Sequence, residues 1–281
     1  PTRSRHSATV PCTMEFALGQ APGLERSGVL QIESQNSGDP GAELARLGRK
    51  LSRVMLTTVT DHALIEDGDR ILVAVSGGKD SMALLWSLAE RQRRSPVRYD
   101  IFPVYVDPGF EGGFAEALRA QCRDMGLDLR VAYTDFGLIA HSDQNRENPC
   151  FLCARLRRKR LFEIAHELDC RKVALGHNKD DIIETFFMNI CYAGEVSTMI
   201  PAQSFFNGLI TVIRPLAFVE EDLIRRFVRQ QGLAVFHNPC PSANRTKRQE
   251  IKDLRWQLFR PQRGGPRKAW APGRPVPAAP T

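Results

Sequence analysis

Arg70-Ile71-Leu72-Val73-Ala74-Val75-Ser76-Gly77-Gly78-Lys79-Asp80-Ser81 is the stretch from which the rest of the chain can be read. Its apolar run over 71–75 is strand-length and predicts a buried strand. The two adjacent glycines let the backbone approach a ligand closely and aim its N–H groups into a concavity. A helical pattern follows over 80–93; its first turn carries partial positive charge, and Lys79 adds a full one. Strand, glycine turn, helix start and lysine together predict a phosphate cradle. Its nucleotide-binding residues are Ser76, Gly77, Gly78, Lys79, Asp80 and Ser81, with Lys79 and Asp80 nearest the chemistry. The spacing differs from the common phosphate loop, which places four residues between its first Gly and its Gly-Lys pair. It also differs from the dinucleotide Gly-x-Gly-x-x-Gly. Two glycines alone would read as a tight turn; Ser, Lys, Asp and Ser in register at a strand end favour the cradle.

Working outward, strand patterns recur at 99–106, 129–133, 172–175 and 209–213. Helical patterns fill 42–64, 114–125, 151–168, 180–192, 220–231 and 245–258. This alternation predicts an α/β fold: a doubly wound parallel five-stranded sheet with helices on both faces. Ligands of such folds sit beyond the carboxyl ends of the strands. The second strand ends at Asp107-Pro108-Gly109, where Asp107 either contacts nucleotide or starts a turn. The fourth ends at Gly176-His177-Asn178-Lys179-Asp180-Asp181. Asp180 and Asp181 suit a Mg²⁺ that bridges ATP phosphates, and helix capping by Asn178 and Asp180 is compatible with that. His177 reads first as structural and second as a nucleotide contact.

The 281 residues are 42% hydrophobic and 25% charged, enough apolar content for a sizeable core. No apolar run is long enough to span a membrane, and the first 40 residues lack a signal-peptide pattern. A cytosolic location is therefore expected. Residues 1–42 and 261–281 are rich in Ser, Gly, Pro or Gln without periodicity and read as disordered, leaving a folded body over 43–260. The net charge is +7, and the segment from Asn244 onward supplies ten Lys/Arg against two Asp/Glu. The excess is local, as expected of a polyanion contact or a solvated tail.

Seven cysteines, an odd count, do not suit a disulfide framework in a reducing compartment. Cys122 and Cys191 fall on apolar helix faces, Cys170 at a helix-to-strand junction and Cys12 in the N-terminal arm. Pro149-Cys150-Phe151-Leu152-Cys153 opens a helix, where the helix N-terminus and Arg155, Arg157 and Arg158 are expected to lower the thiol pKa values. The pair suits a redox dithiol, half a zinc site or part of an iron–sulfur site. Cys240, in Asn238-Pro239-Cys240-Pro241, is poorly explained as a core residue.

Ser-Gly-Gly-Lys-Asp-Ser at the end of the first strand resembles the signature of the PP-loop ATP pyrophosphatases. From residue 44 to 258 the order of motifs resembles the tRNA 2-thiocytidine synthetase family of that group. The motifs are Gly68-Asp69-Arg70, the glycine loop, Cys-x-x-Cys followed by Arg155-Leu156-Arg157-Arg158, Gly-His-Asn-Lys-Asp-Asp, Ile213-Arg214-Pro215-Leu216 and a late single cysteine. The resemblance implies ATP and Mg²⁺, and a [4Fe–4S] cluster on Cys150, Cys153 and Cys240. It implies adenylation of a tRNA cytidine, cytidine 32, at its C2 oxygen, and replacement of that oxygen by sulfur. Gly176 and His177 join the nucleotide-binding set. Arg155, Arg157, Arg158, Lys159, Arg245, Lys247 and Arg248 are expected to receive the RNA backbone. The partners implied are tRNA and a sulfur donor such as a cysteine desulfurase, with no membrane; a homodimer is left open. A 2-thiouridine-forming branch shares several of these motifs but carries extra zinc-binding Cys pairs near its ends, which these seven cysteines cannot supply. A cluster-free ligase acting on tRNA, and a non-catalytic RNA- or metal-binding protein, are the other readings.

Overall fold

A computed structural model describes residues 39–237, 239–242 and 247–258. The expectations for the N-terminal arm with Cys12, for Arg245 and for the 261–281 tail lie outside the described residues.

Five strands, β1 (Asp69–Ala74), β2 (Tyr99–Asp107), β3 (Arg130–Tyr133), β4 (Lys172–Ala174) and β6 (Ile210–Ile213), pair in parallel as anticipated. A sixth, β5 (Ala202–Phe205), adds antiparallel to β6 and makes the sheet six-stranded, in the order β3-β2-β1-β4-β6-β5. The expected count of five is thus corrected by an edge strand. Ala-Gln-Ser-Phe lacks the apolar run of a central strand, since only one of its edges is paired.

Alternation along β1 sorts the two cores. Ile71 and Val73 point to one face with α1 (Pro40–Asp61), α2 (Lys79–Gln92), α3 (Ala115–Asp124) and α7 (Glu221–Gln231); Leu72 points to the other, against Ile164 and Ala165 of α5 (Pro149–Glu167). Both faces are therefore covered. α1 starts two residues earlier than expected because Asp39 accepts the Gly41 N–H at 3.0 Å and Pro40 sits in its first turn. In α7, Leu223, Ile224, Phe227 and Val228 are buried, and Phe227 tilts against Trp86 of α2 at 4.9 Å.

Two other differences follow from local chemistry. A short helix, α4 (Phe136–Ala140), lies between β3 and α5. The helix expected over 180–192 is α6 (Lys179–Met188), followed by a π-helical turn, Asn189–Ala193, that ends at Gly194 with φ +69°. The wider turn leaves Cys191 exposed, correcting its placement on a buried face, whereas Cys122 and Cys170 are buried as expected. The last helix, α8 (Lys247–Leu258), packs along α6. Among the described residues no helix is long and apolar enough to cross a membrane.

β1 is where the strand order reverses, so the crevice at its carboxyl end, between β1 and β4, is the ligand position this topology favours. The packing of α2 behind β1 holds the glycine loop there. Phe227→Ala removes a fully buried ring from that packing. It is expected to cost about 3–5 kcal/mol, read as a lowered urea midpoint at unchanged m-value.

Candidate active site

The glycine loop is closed by one hydroxyl. Ser81 Oγ accepts the Ser76 N–H and the Ser76 hydroxyl, each at 3.1 Å, and donates to Gly78 O at 2.9 Å. All its hydrogen-bonding capacity is thereby used, and it is buried. Gly77 has φ +77°, and a Cβ there would stand 2.6 Å from the Phe114 ring. Only glycine fits that position. Phe236 N–H donates to Gly77 O at 2.9 Å, and the Phe236 ring stacks on Phe114 at 5.0 Å. The first turn of α2 has no side-chain cap, which leaves this helix start to be satisfied from outside the helix.

The turn after β4 is built differently. Asn178 Oδ1 accepts the Asp180 and Asp181 N–H groups at 2.8 and 3.1 Å, and Asp181 Oδ2 accepts the Asn178 N–H at 3.0 Å. This capping box satisfies the α6 N-terminus internally. Asn178 Nδ2 then reaches across to Asp80 Oδ1 at 2.9 Å. Gly176 allows that approach: a Cβ on it would lie 2.9 Å from the Ser81 nitrogen. The two motifs, about a hundred residues apart in sequence, thus form one wall.

Lys79 Nζ is held between Asp80 Oδ2 at 2.8 Å and Glu221 Oε1 at 2.9 Å. Burial opposes its charge, yet the two carboxylates outweigh burial and raise its pKa. Burial likewise opposes the Glu221 charge, and Lys79 reverses that and lowers its pKa. Sequence reasoning missed Glu221; its one signal was the acidic first turn of α7. Asp180 Oδ2 accepts the Glu221 N–H at 2.7 Å, and Asp181 Oδ1 accepts from Arg248 at 2.9 Å. Both carboxylates therefore have protein partners, although each oxygen keeps a further lone pair. Behind them Glu184 is buried, and burial pushes its pKa up to about 7.

The crevice between these turns and α5 is a cavity of about 330 Å³. Ser76, Asp80, Ser81, Gly176, His177 and Asp181 line one side, and Ala154, Arg157, Arg158 and Leu161 of α5 the other. His177 is held neutral, its pKa pushed down to about 4 by burial and then by Arg214, Arg248 and Arg158. His177 Nδ1 and Arg157 Nε are both buried without a hydrogen-bond partner. Such orphaned groups call for an explanation, and an anionic ligand amid guanidinium groups supplies one. Arg214 itself is structural, donating to Ile200 O at 2.6 Å and Gln203 at 3.2 Å, which explains the Ile-Arg-Pro-Leu motif.

Asp107 is buried, and its Oδ1 accepts the Gly109 N–H at 2.9 Å, the turn-forming role. Cys150 and Cys153 lie near the start of α5, where Asn148 Oδ1 caps the helix by accepting the Cys150 and Phe151 N–H groups at 3.0 and 3.3 Å. Cys240 stands near enough to both thiols for its charge to act on them. The expected fall in thiol pKa is reversed. Burial raises Cys150, with Cys240 adding to it; burial also raises Cys153 despite the opposing Arg157. Among the described residues no three His, Cys, Asp or Glu side chains are arranged to hold a single metal ion. A cubane places each thiolate on a different iron, so its ligands need not crowd one point. Three part-exposed thiols from two segments fit that donor set.

The expected RNA-binding residues divide. Arg157 and Arg158 line the cavity, and Arg248 pairs with Asp181. Arg155 and Lys159 are exposed on α5, Arg155 beside Glu147 at 3.0 Å. Lys247 lies 4.3 Å over the Tyr192 ring.

Residues 48–259 match the family model of the PP-loop domain. A tRNA-cytidine(32) 2-sulfurtransferase from Syntrophotalea carbinolica is 42% identical over 216 residues, 76% of this chain and 83% of that one. Another, from Geotalea uraniireducens, is 39% identical over 74% of this chain and 84% of its own length. The solved U34-tRNA thiolase NcsA from Methanococcus maripaludis, a structure with a [4Fe–4S] cluster, shares the fold at TM-score 0.66 and 24% identity, over 79% of this chain and 75% of that one. The chain belongs to the PP-loop family, within the branch of the tRNA-cytidine(32) 2-sulfurtransferases.

Proposed function

We infer that this protein uses ATP to replace the C2 oxygen of a tRNA cytidine, cytidine 32, by sulfur, giving 2-thiocytidine. The observation that carries the reading is the cavity between the glycine loop and α5, with its orphaned His177 and Arg157 nitrogens. The middle of α5, from Ala154 to Phe162, walls this cavity, and the residues just before it include Cys150 and Cys153, so activation and sulfur delivery share a helix.

ATP phosphates lie on the open first turn of α2 and the 76–81 loop. Lys79 exchanges one of its two carboxylates for phosphate oxygen and stabilises the charge that develops as pyrophosphate leaves. Asn178 holds Asp80, and Ser81 holds the loop, so both arrive in place. The cytidine C2 oxygen attacks the α-phosphate, the bond to the β-phosphate breaks, and an adenylated base results. Neutral His177 donates or accepts a hydrogen bond there without adding charge. Sulfide then attacks C2, the C2–O bond breaks, and AMP departs. Asp180 and Asp181 would hold Mg²⁺ through their remaining lone pairs, offsetting phosphate charge. Cys150, Cys153 and Cys240 would hold a [4Fe–4S] cluster, which supplies an iron without a protein ligand as a place for sulfide. The sulfur comes from a donor such as a cysteine desulfurase, whose persulfide sulfur is released as sulfide by a two-electron thiol reductant. Phe151, 61% exposed between the two cysteines, with the Arg155 guanidinium 5.6 Å over its ring, offers a face for an unstacked loop base. Such chemistry belongs in the cytosol, with tRNA.

Lys79→Ala is expected to slow tRNA-dependent release of AMP and pyrophosphate by about 10²–10³-fold; an unaltered rate contradicts the loop assignment. Gly176→Ala, whose Cβ meets the Ser81 nitrogen, should weaken ATP binding in calorimetry while the fold survives. Anaerobically purified wild type should carry about four irons per chain. Ser at any of Cys150, Cys153 or Cys240 should end 2-thiocytidine formation yet leave ATP binding intact; zinc in place of iron contradicts the cluster.

A further inference from the structure

His141 follows α4, and nothing above uses it. Its ring is fixed from two sides. Nδ1 lies 2.8 Å from Gly137 O, and since a carbonyl only accepts, Nδ1 carries the proton. Nε2 of the neutral ring is then an acceptor. It meets Ser242 Oγ at 2.8 Å and stands 3.8 Å from Cys240 Sγ. Phe110 packs edge-on against the ring at 5.5 Å.

α4 is itself tied to the sheet. Gly137 N–H donates to Pro108 O at 2.7 Å, at the carboxyl end of β2. A Cβ on Gly137 would stand 2.5 Å from the Phe110 ring, so the contact admits no larger residue without displacement. Cys150 and Cys153 need no such help, being fixed on the first two turns of α5. Cys240 lies in a stretch with neither helix nor strand. One of its contacts with the framework is His141.

We propose that His141 is the positioning residue for Cys240, holding that thiolate opposite Cys150 and Cys153 by accepting the Ser242 hydroxyl. The inference rests on Cys240 being a cluster ligand. A thiolate on an unrestrained loop would give a cluster more easily lost, because the ligand can leave an iron and not return. Outer partners of metal ligands have this effect generally.

The test compares wild type, His141→Ala, His141→Gln and Ser242→Ala as full-length chains reconstituted anaerobically with iron and sulfide. Iron content, loss of absorbance to a chelator and the EPR spectrum of the reduced protein are recorded, with circular dichroism as the folding control. His141→Ala should lose its cluster about tenfold faster than wild type and show an altered EPR signal. His141→Gln, which keeps an acceptor near the Nε2 position, should restore most of the retention. Ser242→Ala removes the same tether from the other side and should behave like His141→Ala, even if that variant folds poorly. Wild-type retention and spectrum in both alanine variants would overturn the proposal. Nitrogen hyperfine coupling to the cluster in wild type would also overturn it, by making His141 a ligand. A wild-type chain that takes up no iron sinks the cluster reading and this inference together, and so separates the two failures.

Discussion

A hydrogen bond of 2.9 Å from Asn178 to Asp80 ties the turn after β4 to the turn after β1, and the candidate active-site cavity depends on that tie. Two strands adjacent in the sheet but distant in sequence must end in turns that almost touch. Gly176 makes the approach sterically possible, and Asn178 makes it specific. The same Asn satisfies the α6 N-terminus, leaving the α2 N-terminus as the open one. Of two neighbouring helix starts, one is consumed structurally so that the other can take an anion.

That division changes the meaning of the charged groups. Lys79 looks like a free cation in sequence, yet it stands between two carboxylates. Its charge is neutralised locally by that pair, an arrangement that would favour a strongly anionic ligand over a weak one. Burial, aided by Arg214, Arg248 and Arg158, keeps His177 neutral. The cavity thus combines a restrained lysine, nearby guanidinium groups and an uncharged imidazole.

Much of this was legible in the sequence because it is local. Seventy-one to 81 carries its own strand, turn and helix start, and Asn178 reads as a cap of α6, although its capping-box partner is Asp181 and not the expected Asp180. The parallel strands follow from apolar runs separated by helical periods. What escaped was what tertiary contact decides. β5 is polar because one edge is unpaired, so no run announced it. The turn at Asn189–Ala193 widens into a π-helix, and Cys191 emerges into solvent. Thiol pKa values looked set by a helix end and nearby arginines, but burial prevails, and the Cys240 charge adds to it. Glu221 and His141 act through partners 142 and 99 positions away, respectively, distances no pattern encodes.

That this fold spends ATP to put sulfur on a tRNA base has a readout in the nucleosides themselves. Mass spectrometry of nucleosides from tRNA of the host, with and without this protein, tests it most directly. The account predicts that 2-thiocytidine disappears when the protein is removed and returns with the wild-type chain but not with Lys79→Ala. An unchanged thionucleoside profile would contradict it.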